Sequence, residues 1–151
     1  MTITSSISTI ADSIAGLSIS GVTVKDIDQI PDSVRMLCPI LIPDPNNFVS
    51  NYSVETMTFG TLGAQKMNSK YALNYIYLHC EVGSGVNTYA PYSGIVSKLQ
   101  TILIAIFGND VITGLVDMKL GSIGKIGVIS DPANNNFWGV TFSLNILEYN
   151  Q

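Results

Sequence analysis

Charged side chains are scarce in this chain of 151 residues. Only 12% of the residues are Asp, Glu, Lys or Arg, whereas soluble domains usually carry about 25%. Hydrophobic residues make up 46% of the chain, and the mean hydropathy is +0.34. A small domain with so few charges is expected to keep part of its surface covered by copies of itself or by partner proteins. The composition therefore favours a component of an assembly over an enzyme.

Arginine, histidine and long apolar runs are scarce too. The formal charge is −4 and Arg35 is the only arginine, which disfavours direct nucleic-acid binding because that function needs a basic surface. The longest strongly apolar run, Ile102–Phe107, is much shorter than the roughly 20 residues of a membrane helix, so no membrane contact is predicted. His79, the only histidine, lies next to Cys80 in a strand pattern, where neighbouring side chains point to opposite faces. We predict no catalytic site and no cofactor.

The hydrophobic pattern predicts one domain over residues 1–151 that contains two helices. The first helix carries an apolar stripe with spacings of three and four residues, which is typical of an amphipathic helix. The second begins after Pro91 and continues to Phe107, with its apolar residues over more than half of its circumference near its end. The apolar stripe of the first helix consists of Ile3, Ile7, Ile10, Ile14 and Leu17.

Strand patterns account for most of the remaining chain. Residues 52–59, 71–82 and 137–149 show alternation or β-branched and aromatic residues, and shorter strands are predicted in 22–27, 35–42, 112–120 and 124–130. Residues 60–70 are too many for a tight turn and predict an arm or loop beyond the sheet. The glycine-rich residues 121–127 predict a hairpin connection. The expected fold class is α+β, a mostly antiparallel sheet with two helices packed on one face and an extended β-hairpin arm.

Acidic residues provide one group of candidate site residues. Asp26, Asp28 and Asp32 lie close together in the sequence, but their spacing does not match an EF-hand, so a solvated loop is the preferred interpretation. A metal-dependent hydrolase that uses this cluster is an alternative. The similar segments 44–48 and 131–137 are predicted to be turns that lead into strands, with Ca²⁺ ligation as their alternative. We predict no metal site.

Aromatic residues provide the second group. Tyr71, Tyr75 and Tyr77 share one face of a predicted strand, and tyrosine is enriched at protein interfaces. We interpret this face, together with the arm that precedes it, as a contact surface for neighbouring subunits. A carbohydrate-binding module that uses Trp138 and these tyrosines is a further alternative. The arm residues expected at the interface are Leu62, Gln65, Lys66 and Met67.

The order of elements and the closing strand resemble a known family. An amphipathic helix leads to Cys38-Pro39-Ile40, a long hairpin follows, and then an apolar helix over 93–107. The closing strand has the pattern aromatic-Gly-x-x-Phe-x-Leu-x-Ile over residues 138–146. This arrangement looks like the tail terminator (tail completion) proteins of long-tailed bacteriophages, and related head–tail joining and tail-tube proteins are close alternatives.

The resemblance implies a structural virion protein that is made in the host cytoplasm. Such a protein forms a ring, usually a hexamer, that ends tail-tube polymerisation and docks to the head connector. The implied partners are copies of the same chain, the tail tube protein and head–tail connector proteins, with DNA passing through the lumen without specific binding. In such a ring Asp26, Asp28 and Asp32 are expected to face the channel. No residue of this sequence matches a functional residue of the family one for one.

Overall fold

Two helices and a six-stranded sheet make up the part of the chain that the structure describes. The computed structural model describes residues 3–30, 34, 37–59, 64–82, 92–109, 112, 116–131 and 133–150. The α+β fold class is confirmed. The elements are α1 (Ile3–Ala15), β1 (Thr23–Val24), a 3₁₀ helix (Ile27–Gln29), β2 (Ile40–Pro43), β3 (Val49–Phe59), β4 (Ala64–Glu81), α2 (Tyr92–Phe107), β5 (Asp117–Ser130) and β6 (Asn136–Asn150).

The long strand β4 lies at the centre of the sheet. It pairs with β6 along one side and with β3 and then β2 along the other, always antiparallel. β5 pairs antiparallel with the other side of β6, and β1 pairs parallel with β2. The order is therefore β1-β2-β4-β6-β5, with β3 also beside β4. The sheet is mostly antiparallel and β1 lies at an edge, as the sequence predicts.

Both helices pack on one face of the sheet, which we call the core face. Directly opposed residues of paired strands share a face, so Tyr75 and Phe142, which are register partners, point to the same side. They join one buried cluster with Ile10 and Ile14 of α1 and Ile102 of α2. The predicted apolar stripe of α1 is therefore confirmed at its centre, where Ile10 and Ile14 are fully buried.

The opposite face, which we call the open face, is covered only in part. A smaller buried cluster there joins β2 to the ends of β4 and β6 under Val34. The backbone N–H of Val34 donates to Oδ2 of Asp131 at 3.3 Å. This hydrogen bond links Val34 to the turn before β6. The members of the cluster are Val34, Ile40, Ile42, Ile76, Leu78 and Phe137.

β5 is one strand of 14 residues, so the prediction of two strands joined by a glycine-rich hairpin at 121–127 is wrong. Its register against β6 shifts twice between residues 120 and 126. A Cβ atom at Gly121 would lie 2.7 Å from Oγ of Ser143, and one at Gly124 would collide with Oγ1 of Thr141. These glycines make room for polar side chains of β6 instead of turning the chain.

The predicted arm is the end of the β3–β4 hairpin. β3 pairs with β4 as far as Phe59 and Ala64, whereas β6 ends opposite Met67 of β4. Beyond Met67 the hairpin is therefore a two-stranded projection from the sheet. Residues 64–70, which the sequence assigns to the arm or loop, continue strand β4. Residues 60–63, including Leu62, lie outside the described residues.

Replacement of Gly139 by alanine should destabilise the fold. Gly139 lies opposite Leu78 in β4, and an added Cβ atom would collide with the backbone carbonyl oxygen of Tyr77. Because a backbone atom in a central strand cannot rotate away, we expect a loss of about 1–3 kcal/mol in the free energy of unfolding, measured by urea denaturation. Gly16→Ala is the control, since its Cβ would lie 3.5 Å from the nearest atom, and an equal loss in both variants would contradict this explanation.

Candidate functional site

The three tyrosines predicted to contact neighbours lie in the core instead. Tyr71 is 3% exposed, Tyr75 is 1% exposed and Tyr77 is fully buried. They occupy the alternate positions of β4 that point to the core face, where the helices cover them. They offer no surface to a neighbouring subunit, and the structure corrects this part of the prediction. The sequence pattern identified one face of a strand correctly, but the helices take that face.

Tyr71 forms a hydrogen bond with a buried carboxylate at the base of the arm. Its hydroxyl donates to Oε2 of Glu148 at 3.2 Å, and Glu148 is only 2% exposed. Burial, and then the negative charge of Glu148, raise the pKa of Tyr71 above its ordinary value. Oε1 of Glu148 has no hydrogen-bond partner among the described residues. The Tyr52 ring stacks on Tyr71 with the ring centroids 5.7 Å apart.

The arm residues lie in β4 where the structure describes them. In the β3–β4 register Gln65 is opposite Thr58, Lys66 is opposite Met57, and Met67 is opposite Thr56. This part of the hairpin projects beyond the end of β6, so its position suits contact with another molecule. The assignment of Gln65, Lys66 and Met67 to an interface stays a prediction, as does that of Leu62.

Two of the three residues of the predicted acidic cluster lie in the described part of the chain. Asp26 is 8% exposed, and its Oδ1 accepts from the backbone N–H of Ile27 at 2.6 Å, capping the 3₁₀ helix. Burial, and then a hydrogen bond with the side chain of Asp12, raise the pKa of Asp26. That Asp26 faces a channel stays a prediction. Asp28 is exposed, and Asp32 lies outside the described residues.

The two similar turns use their carboxylates to hold the backbone. Oδ1 of Asp44 accepts from the N–H of Asn46 at 3.0 Å, and Oδ1 of Asp131 accepts from the N–H groups of Ala133 and Asn135 at 3.0 and 2.8 Å. These bonds are typical of Asx turns. Within the described part of the chain no group of three or more His, Cys, Asp or Glu side chains is placed to hold a metal ion.

Trp138, which a carbohydrate-binding module would expose, lies on the core face. It is half-buried and packs against the main hydrophobic cluster. The ring of Tyr92 meets it edge-on, with the centroids 6.2 Å apart. Since Tyr71, Tyr75 and Tyr77 are buried as well, the aromatic platform that this alternative requires is not present on the described surface.

His79 links the end of β4 to the first turn of α2. Its Nδ1 lies 2.7 Å from the hydroxyl of Tyr77, and a Cβ atom at Gly94 would be 3.1 Å from its Nε2. Burial, and then the positive charge of Lys98, lower the pKa of His79. Because the ring is enclosed between a strand and a helix, we interpret His79 as a structural residue.

The outward face of α2 is exposed and uncharged. Ile104 is 74% exposed, Tyr92 is 52% exposed and Val96 is 39% exposed. The one charged residue of the helix, Lys98, is half-buried, and its Nζ donates to the carbonyl oxygen of Ser20 at 3.0 Å. The exposed residues of α2 are Tyr92, Ser93, Val96, Ser97, Gln100, Thr101 and Ile104.

Both long edge strands also carry exposed apolar side chains on the core face. On β5, Leu120 is register partner of Leu144 and Ile123 of Phe142, which places them on that face. On β3, Tyr52 stacks on Tyr71 of the same face. The helices cover the middle of the sheet and leave its margins bare. The exposed apolar residues of the two margins are Leu120, Ile123 and Val128 on β5 and Tyr52 and Val54 on β3.

A shallow cavity of about 720 Å³ lies on the open face across β3, β4, β6 and β5. Ala72, Leu147, Lys70, Asp117 and Lys119 are among the residues that line it. Its lining mixes both charges with apolar groups, and the turns that precede β3 and β6 border a smaller cavity of about 280 Å³.

Comparisons with protein-family models and with curated protein sequences give no match. Neither helix within the described residues is long and apolar enough to cross a membrane.

The exposed apolar residues are the feature that reasoning from the sequence missed. In α2 the buried residues are Ile95, Leu99, Ile102 and Ile106, so Ile104 is out of phase with the apolar stripe. This spacing was the signal in the sequence from which the exposure of Ile104 could have been predicted. In β5 the signal was hidden because the glycines at 121–127 suggested a turn, and the sequence alone does not show that the strand lies at an edge.

Replacement of Tyr71 by phenylalanine should destabilise the subunit without altering its surface. The variant leaves the buried carboxylate of Glu148 without the hydroxyl that now donates to it, and a buried group that loses its partner costs about 1–3 kcal/mol. The free energy of unfolding is measured by urea denaturation. Tyr52→Phe is the matched control because Tyr52 is 43% exposed. Unchanged stability of the Tyr71 variant would contradict a structural role for this bond.

The stability of the protein should fall in mild acid because of His79. Its pKa is lowered in the folded state from 6.5, so the unfolded chain binds the proton more readily. Stability contributed by the neutral ring is therefore lost as the pH falls below about 6.5, the ordinary pKa of histidine. His79→Gln should remove this component when unfolding is measured between pH 5 and pH 8. Parallel pH profiles of the two proteins would contradict the assignment.

Proposed function

We propose that the protein is a non-enzymatic structural subunit that forms a ring at the end of a bacteriophage tail tube or at the head–tail junction. The ring ends tail polymerisation and docks to the head connector, and DNA passes through its lumen. Its partners are copies of the same chain, the tail tube protein and connector proteins, and it resides in the virion. A hexamer is the proposed stoichiometry.

The uncharged outward face of α2 carries this proposal. Ile104 is 74% exposed, and every exposed residue of the helix is uncharged. A monomer in water gains nothing from exposing such a face, whereas a subunit buries it against a neighbour. The scarcity of charge in the whole chain supports the same interpretation, since the covered surfaces of an assembly are depleted of charged residues.

The phage assignment is supported by the resemblance in element order and closing strand described above. The two helices on one face, the projecting β3–β4 hairpin and the closing strand β6 agree with the architecture that the resemblance implies. A closed ring joins two unlike surfaces of each subunit, and closure prevents open filaments. The exposed margins of the sheet at β3 and β5 are such unlike surfaces.

The solution mass of the purified chain tests the proposal. We expect light scattering to give about six times the 16.2 kDa of one chain, and electron microscopy to reveal rings that cap isolated tail tubes. Ile104→Glu should weaken assembly about tenfold or more, because it removes a buried apolar side chain and buries a charge. A wild-type protein that stays at the mass of one chain at high concentration and never binds tail tubes would contradict the proposal.

Ser8→Glu is the matched control for this variant. Ser8 is exposed on α1, so the substitution adds the same charge to the other helix of the same layer. The control should assemble like the wild type, and circular dichroism should show the same fold for all three proteins. Equal weakening by both substitutions would indicate a general charge effect instead of contact through α2.

A further inference from the structure

We infer that the ring is built by sheet extension, with the β5 edge of one copy pairing antiparallel with the β3 edge of the next. This inference rests on the proposed function and adds the two strand edges to α2 as surfaces that join the subunits. In the described part of the chain, β5 pairs only with β6 and β3 pairs only with β4. Each strand therefore presents a row of backbone N–H and C=O groups on its outer side, which are able to pair with another strand.

The directions of the two strands favour this pairing. β3, β4, β6 and β5 form successive antiparallel pairs, so β3 and β5 run in opposite directions. Rotation of a copy about an axis roughly parallel to the strands keeps its β3 antiparallel to the β5 of the first copy. The sheet then continues from one subunit to the next with the helices on the same side. Closure of the ring leaves none of these edges exposed.

Apolar side chains of both edges would meet in this arrangement. Leu120, Ile123 and Val128 of β5 lie on the core face and are 40%, 46% and 37% exposed. Tyr52 and Val54 of β3 are 43% and 41% exposed, and the stacking of Tyr52 on Tyr71 places it on the same face. In the extended sheet these side chains become cross-strand neighbours, which stabilise strand pairing.

Charges select this pairing over the symmetric ones. Lys119, Lys125 and Asp117 are the charged residues of β5, whereas Glu55 is the only charged residue of β3. A pair of β5 strands joins two edges of net positive charge, and a pair of β3 strands joins two edges of net negative charge. Like charges at adjacent strand positions are destabilising. A β5–β3 contact joins an edge with a net positive charge to one with a net negative charge, and thereby forms a head-to-tail interface.

A charge reversal with rescue tests the inference on the full chain. Lys119→Glu combined with Lys125→Glu gives the β5 edge the same sign of net charge as the β3 edge of the next copy, and we expect the dissociation constant of the ring to rise about tenfold or more. Adding Glu55→Lys to the same chain restores opposite charges on the two edges. It should therefore restore most of the lost affinity between subunits. Lys25→Glu combined with Ser8→Glu and Ser18→Glu is the control for net charge, because it changes the charge by the same amount away from β3, β5 and α2, and it should assemble like the wild type.

Hydrogen exchange followed by mass spectrometry provides the second measurement. In the wild-type ring, the outer backbone amides of residues 49–59 and 117–130 should exchange at least tenfold more slowly than in the dissociated double variant, because pairing removes them from water. Circular dichroism is the control measurement, and it should show that every variant is folded.

The outcomes separate the inference from the proposed function. Rings that form in the wild type, but persist unchanged in the double variant or leave both edges unprotected, overturn the β5–β3 contact and leave the ring proposal standing. A double variant that dissociates and is not rescued by Glu55→Lys excludes β3 as the partner of β5. A wild-type chain that never assembles overturns both.

Discussion

The antiparallel pairing of β4 with β6 is the interaction on which the rest of the structure depends. These two strands supply the inward residues of the core, and α1 and α2 pack against those residues. Pairing satisfies the backbone groups of both strands, and the period of two sends alternate side chains to each face. Gly139 permits a close approach to Tyr77 in this pair. The buried Tyr71–Glu148 hydrogen bond lies near its far end.

This central pair also decides which surfaces remain for other molecules. The two helices cover the middle of the core face, so the tyrosines of β4 are enclosed and the margins of the sheet are bare. Large apolar side chains are then exposed on β3, on β5 and on the outward side of α2, and Ile27 of the 3₁₀ helix is exposed as well. Because few charged residues accompany them, these places are suited to contact with protein surfaces. The ring that we propose would use β3, β5 and α2.

In the β5–β3 contact that we propose, charge contributes to specificity more than to stability. Exposed ion pairs add little free energy, but the lysines of β5 would disfavour pairing of that edge with its own copies, and the single glutamate of β3 would make β3 the preferred partner. The register shifts of β5 and the bulge in β3 restrict the stretches along which a neighbour can pair.

The amino-acid sequence by itself determined the α+β class, both helices, the edge position of β1 and the long hairpin, because periodic apolar residues report directly on local structure. Tertiary structure decided the rest. Residues 121–127 became part of a strand because Gly121 and Gly124 lie against polar side chains of β6. Tyr71, Tyr75 and Tyr77 became core residues because the helices packed on their face. An alternating pattern shows that a strand has two faces, but only packing determines which face the helices cover.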